Sequence, residues 1–244
     1  MSKIINKLIR RILITATDAK EGHIPSALSI LDIVWVLYYI MKPSDKFVLS
    51  KGHGSLALYA VLAEKGLIKQ SDLDSFCSFD GILGGHPDMN KVVGVEASTG
   101  SLGHGLPIAV GMAMASKIKG DSSHIYCLVG DGECNEGSIW ESALIASHHG
   151  LSNLTCIIDY NHSTDRALSL DNLACKFSSF GWRVFTANGH SHKELKRVLS
   201  PCVQEKPIVI IANTIKGNGV AVMENNPEWH HRVPTEEELA HILP

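Results

Sequence analysis

Gly130-Asp131-Gly132 directly follows one run of apolar residues, and Asp159-Tyr160-Asn161 closes another about thirty residues later. Asp131 offers a carboxylate and Asn161 a neutral amide oxygen. One carboxylate, one amide oxygen and a backbone carbonyl, completed by phosphate oxygens and water, suit an octahedral Mg²⁺ holding a diphosphate. The glycines on either side of Asp131 let backbone approach a bulky anion closely. A helix beginning near Asn135 would aim its amide groups at the same place. Two other phosphate signatures fail: G-x-G-x-x-G has asparagine where its last glycine should stand, and no G-x-x-x-x-G-K-[ST] occurs. On this segment alone, a tight strand–helix turn with incidental polar caps stays open as the plainer account.

Thirteen histidines give a second set of candidates. His53, His86, His104 and His190 follow a glycine or sit between two, and His23 lies between Gly22 and the Ile24-Pro25 break. Histidines in such loops can reach a ligand, whereas those on helix faces usually serve packing. The six cysteines (Cys77, Cys127, Cys134, Cys156, Cys175, Cys202) form no C-x-x-C pair and read as reduced, mostly buried thiols.

The elements that must position these groups follow from periodicity. Helical spacing covers 4–19, and after the Gly22–Pro25 break Ser26 is placed to cap a second helix over 27–41. Phe47–Ser50 reads as a strand ending in the Lys51-Gly52-His53-Gly54 turn, with a helix from Ser55 to about Lys65. Residues 81–105 are glycine-rich and loop-like, then 106–119 turns helical. Strands over 125–129, 154–159, 184–185 and 208–212 alternate with helices over 136–149 and 191–200. That alternation predicts an α/β fold, a mainly parallel sheet sandwiched by helices on both faces, built as a single domain over 1–244. The loops after residues 50, 129, 159 and 212 all leave strand carboxyl ends, where such sheets bind ligands at a topological switch point.

Composition narrows the function. Apolar residues make up 45% of the 244 and charged residues 19%, which excludes a disordered or coiled-coil chain. A formal net charge of −3 leaves no basic footprint for nucleic acid. The longest apolar run, Ile30–Met41, is interrupted by Asp32 and falls short of the ~20 residues of a membrane span. The amino terminus carries no signal-peptide pattern, so the cytoplasm is the expected location.

The motif at 130–161 does not stand alone. Gly130-Asp131-Gly132-Glu133-Cys134-Asn135-Glu136-Gly137, closed by Asp159-Tyr160-Asn161, resembles the thiamine diphosphate motif of the transketolase family. Further blocks follow that family's order: Gly22-His23, Ser50–Ser55, Gly85-His86-Pro87, Ser98–Gly103, Lys216–Val220 and Met223–His230. Together they resemble the amino-terminal, diphosphate-binding half of transketolase, in the form where the enzyme is split over two polypeptides.

The resemblance implies roles residue by residue. Asp131, the Asn161 side chain and the Ser163 carbonyl would bind Mg²⁺ (or Ca²⁺). Gly130 and Gly132 would border the diphosphate, with the Gly132 amide against it, and His53 and His230 would contact its oxygens. His23 and His86 would reach over the thiazolium toward the donor sugar's hydroxyls, and His23, His86 and His230 are the catalytic candidates. Gly100, Ser101 and Leu102 would line the aminopyrimidine, and Glu136 would link two active sites across a dimer. The implied reaction moves a two-carbon ketol unit from a ketose, or ketose phosphate, to an aldose. The pyrimidine-binding half, with the glutamate that protonates the cofactor, would be a separate chain, giving an α₂β₂ assembly.

The alternatives are other thiamine chemistry (2-oxo acid decarboxylation, acyloin synthesis) and a non-catalytic regulatory subunit. The histidine set favours ketose donors over the first, and the retained Asp131 and Asn161 argue against the second. His148, His149, His190, His192, His231 and His241 have no supporting block and read as structural. Three departures stand out: His104 for a common glutamine, His162 for a common glycine, and Trp229-His230-His231 for Trp-His-Gly. A fourth is Thr164-Asp165-Arg166-Ala167-Leu168, which lacks the family's usual Gln-(Ile/Leu)-Asp-Gly ending. They surround the site without removing an assigned ligand.

Overall fold

The computed structural model describes residues 3–165, 167–200 and 205–243, which leaves Cys202 and Arg166 outside. Five strands form one sheet: β1 (Lys46–Leu49), β2 (Ile125–Gly130), β3 (Leu154–Tyr160), β4 (Arg183–Asn188) and β5 (Ile208–Asn213). Their order is β1-β2-β3-β5-β4 and every pairing is parallel.

All carboxyl ends therefore open on one edge, and the register sets Gly130 beside Asp159. The chain reverses direction beyond β3, where β5 enters between β3 and β4. Groups following β1, β2, β3 and β5 meet above this edge, so the site spans four strands instead of one crevice.

Burial on both faces explains the near-continuous apolar strands. Alternate residues divide between two cores. Leu128, Ile157 and Ile210 face α1 (Lys3–Ala19), α2 (Ile24–Ile40), α3 (Ser55–Glu64) and α7 (His192–Leu199). Val129, Ile158 and Ile211 face α4 (Gly105–Lys119), α5 (Gly137–His148) and α6 (Leu173–Ser179). The short α8 (Glu236–Ile242) lies against α1. α2 is buried over thirteen of its seventeen residues, which accounts for its apolar length. No described helix is long and apolar enough to cross a membrane.

Several boundaries differ from expectation. α2 begins at Ile24 with Pro25 in its first turn, so Ser26 is inside the helix and caps nothing. Proline needs no hydrogen-bond acceptor there and arrives with a helical φ, which lets the helix start early. α5 starts at Gly137, because a 3₁₀ turn over Gly132–Asn135 comes first, capped by the Asp131 carboxylate on the Gly132 N–H. Two seven-residue helices, α6 and α8, are too short to carry a readable period, and β4 is longer than Val184-Phe185 suggested. Cys127, Cys134 and Cys156 are buried free thiols, but Cys77 and Cys175 are exposed.

α4 meets β1 through a glycine contact. A Cβ on Gly105 would stand 2.3 Å from Ser50 Oγ and 2.6 Å from its Cα. Gly111, on the exposed face of the same helix, has nothing within 4 Å. Gly105→Ala should lower stability by roughly 1–3 kcal/mol through overpacking. Gly111→Ala should raise it by about 0.5–1 kcal/mol through backbone entropy. Urea unfolding midpoints of the two variants check both signs.

Candidate active site

The strand edge is organised around a buried ion pair. Lys51, just past β1, contacts Asp159 at the end of β3, with side chains 3% and 0% exposed. Asp159 also accepts from Ser29 Oγ on α2 at 2.7 Å, from Thr214 Oγ1 after β5, and from Asn161 Nδ2 at 3.1 Å. A second buried carboxylate, Glu133, accepts from Ser50 Oγ and from the N–H groups of Gly103 and Gly130 at 2.8 and 3.1 Å. Burial pushes the Glu133 carboxyl above its ordinary range, against those hydrogen bonds. These two centres tie the ends of β1, β2, β3 and β5 to the loops that carry the expected site residues.

Asn161 is oriented by that frame. Its Nδ2 donates to Ser29 Oγ at 3.1 Å and to Asp159, which turns Oδ1 toward Asp131. Asp131 accepts from Gly132 N–H at 2.7 Å and from Ser163 N–H at 2.8 Å, and Asn161 Oδ1 accepts from the same Ser163 N–H at 3.1 Å. The Asp131 and Asn161 oxygens therefore converge on the Ser163 N–H. Burial holds the Asp131 carboxyl above its ordinary range, and the nearby Asp159 carboxylate adds to this.

The side-chain donors here are the Asp131 carboxylate and the Asn161 amide oxygen, and no group of three or more His, Cys, Asp or Glu suited to a metal occurs among the described residues. One carboxylate with neutral oxygens fits Mg²⁺ or Ca²⁺ and not a softer metal.

Beside this cluster lies a cavity of about 460 Å³ whose walls include Asn161, Ser163, Lys216 and His230. Lys216 Nζ lies 2.8 Å from His230 Nδ1. An ammonium only donates, so Nδ1 accepts and Nε2 keeps the proton, a donor available to an anion. Burial first, and then Lys51, lowers the Lys216 pKa. A Cβ on Gly132 would meet nothing closer than Thr164 at 3.8 Å, so the glycine leaves open room there. Ser26 Oγ, one turn into the helix that follows His23, is buried with no protein partner. An open glycine and two cationic or donor groups fit a diphosphate. A larger groove of about 600 Å³, walled by Trp140, Leu168 and Phe180, is mainly apolar and holds no such set.

His23 is the centre of an imidazole cluster. Its ring lies 5.4 Å from His53, 6.5 Å from His86, 5.6 Å from His230 and 4.5 Å from His231. Burial, followed by the neighbouring histidines, lowers the His23 pKa from 6.5 to about 4. Burial and then Lys51 push His53 lower still, and burial with Lys216 lowers His230. His23, His53 and His230 are thereby biased toward the neutral form.

Gly100, with φ +148°, lays its backbone against His86, and a Cβ there would stand 3.0 Å from that ring. A Cβ on Gly52 would stand 2.9 Å from Gly100 N, so both residues allow the loop of Gly100, Ser101 and Leu102 to reach the histidines. Glu136 is exposed beside Gly103 on the outer side of the same loop.

The structure brings Asp131, Asn161, Ser163, His23, His53, His86, His230 and Gly100 into one region, and five unassigned residues join them: Lys51, Glu133, Asp159, Lys216 and His231. A lysine at a strand end, level with an aspartate at the end of another, was the available signal for the ion pair. His190 and His192 are structural as expected. His190 Nε2 accepts from the Ile215 N–H at 2.8 Å while Nδ1 lies 3.0 Å from Asp32, and His192 Nε2 lies 2.6 Å from the other Asp32 oxygen. Of the departures, His104 turns back on the Leu102 carbonyl at 3.1 Å and His162 pairs with Asp165 at 2.7 Å.

The family profile described as "Transketolase, thiamine diphosphate binding domain" matches residues 2–242. The chain belongs to the transketolase family. It carries that family's thiamine diphosphate-binding domain, in a parallel sheet flanked by helices. It is 40% identical to an apulose-4-phosphate transketolase subunit of Phocaeicola vulgatus, over 94% of this chain and 87% of that one. It is 38% identical to the 6-deoxy-6-sulfo-D-fructose transketolase subunit SqwG of a Clostridium species, over 88% and 85%. The solved transketolase of Campylobacter jejuni superposes with a TM-score of 0.87 at 30% identity, covering 98% of this chain and 42% of that one. The chain thus spans about two-fifths of that longer transketolase.

The buried pair and the neutral imidazoles each make this transketolase domain testable. Lys51→Met leaves Asp159 buried without its cation and should cost about 3–5 kcal/mol. Combined with Asp159→Asn, the loss should be smaller than the sum of the single changes in urea unfolding. The unfolded chain protonates His23 near pH 6.5 while the folded chain holds it neutral to about pH 4. The folded state therefore binds fewer protons, and its stability is full above pH 6.5 and declines as pH falls below it. The thermal midpoint should drop between pH 7.5 and 5, and drop less in His23→Asn/His53→Asn.

Proposed function

We propose that this chain is the diphosphate-binding subunit of a split transketolase. With a separate pyrimidine-binding chain, in an α₂β₂ assembly, it transfers a two-carbon ketol unit from a ketose donor to an aldose acceptor. The observation that carries this reading is the pair of Asp131 and Asn161 side-chain oxygens, gathered on the Ser163 N–H beside the Lys216–His230 cavity, with His23, His53 and His86 beyond it. The relatives named for apulose-4-phosphate and 6-deoxy-6-sulfo-D-fructose point to a ketose carrying an anionic tail as the donor class.

In this reading Asp131, the Asn161 amide oxygen and the Ser163 carbonyl hold Mg²⁺ or Ca²⁺. The Gly130–Gly132 backbone, His53, Lys216 and the Nε2–H of His230 hold the diphosphate, and Gly100, Ser101 and Leu102 border the pyrimidine. Thiamine diphosphate, when bound, supplies a thiazolium carbon that adds to a ketone and takes up electrons as a C–C bond breaks.

The chain's own part is positional. His23 and His86 can donate to or accept from sugar hydroxyls, and an imidazole can move a proton between them. Burial and the neighbouring imidazoles keep positive charge off His23, while the Lys51–Asp159 pair lies buried below it. Glu136 lies exposed where a neighbouring subunit would meet it.

Native mass spectrometry of the chain co-expressed with its partner, with Mg²⁺ and thiamine diphosphate, should show a mixed assembly with one cofactor per pair. Chelation should release the cofactor, and Asp131→Asn should weaken its metal-dependent binding by about 100-fold or more. Unchanged binding in that variant would refute the metal assignment. Ketol transfer by the purified chain alone would refute the split.

A further inference from the structure

We infer that His231 and Glu21 form a specificity-determining pair at the mouth of the site, reading a hydroxyl of the sugar substrate beyond the bond that breaks. The inference rests on the split-transketolase reading and deepens it, because it names what this chain recognises in the substrate. His231 stands edge-on to His23, with ring centroids 4.5 Å apart and planes at 76°. It is closer to His23 than His53, His86 or His230 is. Its Nε2 lies 3.3 Å from Glu21 Oε1, and the two side chains are 58% and 42% exposed. His53 and His23 are half-buried and His231 is exposed, which makes this pair the rim of the imidazole cluster.

The local backbone fixes both partners. Glu21 precedes Gly22 and His23 in the turn between α1 and α2, and the Gly22 N–H donates to its Oε1 at 3.2 Å. Gly22 has φ +132°, and a Cβ there would stand 2.7 Å from Leu56 Cδ1, so the turn admits no larger residue without a shift. His231 follows His230, whose Nδ1 is held by Lys216. Glu21 and His231 thus reach the rim from two segments that are each anchored in the site.

Chemistry decides what this pair can read. A carboxylate only accepts hydrogen bonds, so it needs a donor. A substrate hydroxyl is a donor, whereas a phosphate or sulfonate bears none at neutral pH and is repelled by like charge. With Nε2 turned to Glu21, His231 holds that carboxylate at the rim and leaves its second oxygen to accept from the hydroxyl. The anionic tail of a donor must then lie past this rim, with a neutral, hydroxylated carbon against it. A polar site built for a hydroxyl rejects the analogue lacking it far more strongly than an apolar pocket rejects a small change in size.

The test uses the assembled enzyme with its partner chain and a matched pair of ketose donors that differ only in one hydroxyl beyond C3. The wild-type assembly should favour the hydroxylated donor by about tenfold or more in kcat/KM. His231→Gly and, separately, the isosteric Glu21→Gln should each compress that ratio to about threefold or less. Thiamine diphosphate affinity, measured on the same samples, should not change.

A wild-type assembly with no preference, or a ratio unchanged in both variants, overturns the inference while ketol transfer stands. A wild-type assembly that binds the cofactor but transfers from no ketose overturns the split-transketolase reading, and this inference with it.

Discussion

The ion pair between Lys51 and Asp159 is the constraint on which the rest of the site depends. A parallel sheet ends in unpaired carbonyls and diverging loops, and something must hold those loops in register. Here one buried carboxylate takes donors from the end of β1, from α2, from the loop after β5 and from Asn161 two residues on. Desolvating two charges is expensive, and their attraction repays it only when the remaining hydrogen-bond capacity is filled. With four donors on Asp159 that condition is met. The pair contributes geometry more than stability: it orients Asn161, and Asn161 with Asp131 defines the oxygen cluster.

The same charge shapes the electrostatics above it. Lys51 lies below His53, His230 and Lys216 and opposes a second positive charge on each. Burial acts in the same direction and is the larger cause in every case. The imidazoles are consequently donors and acceptors without being cations. An incoming diphosphate meets one committed cation, one lysine of reduced basicity and several neutral N–H groups. Such a surface can meet an anion with neutral N–H donors while leaving His23 uncharged.

Much of this was legible in the residues. Alternating apolar runs and helical periods give the parallel sheet, because burial on both faces leaves strands no polar stripe. Gly130-Asp131-Gly132 and Asn161 could be placed together because one register slot on adjacent strands separates their parent residues. The helix start at Ile24 was less legible, since Ser26 is a good cap in isolation and only the packed turn shows Pro25 taking that place. Lys51 and Asp159 were visible as residues but not as partners, because pairing across β1 and β3 depends on strand order, which spacing does not encode. His231 read as structural for the same reason: its neighbour His23 is two hundred residues away in sequence and 4.5 Å away in space. Short helices such as α6 and α8 lie below the length at which a period can be counted.

The distribution of carboxylates completes the physical account. Asp131 accepts from two backbone N–H groups, Glu133 from a hydroxyl and two N–H groups, and Asp159 from four donors. Each is buried and engaged, so each is fixed in orientation and none is free to swing onto a ligand and pass it a proton. Glu136 and Glu21 are the acidic groups at the edges, one outside the loop of Gly100 to Leu102 and one on the rim beside His231. A site built this way presents side-chain oxygens of fixed orientation beside imidazoles that can meet a hydroxyl. Under the proposed split, the acid that protonates the cofactor ring is the partner chain's to supply, and the engaged state of Asp131, Glu133 and Asp159 is consistent with that division.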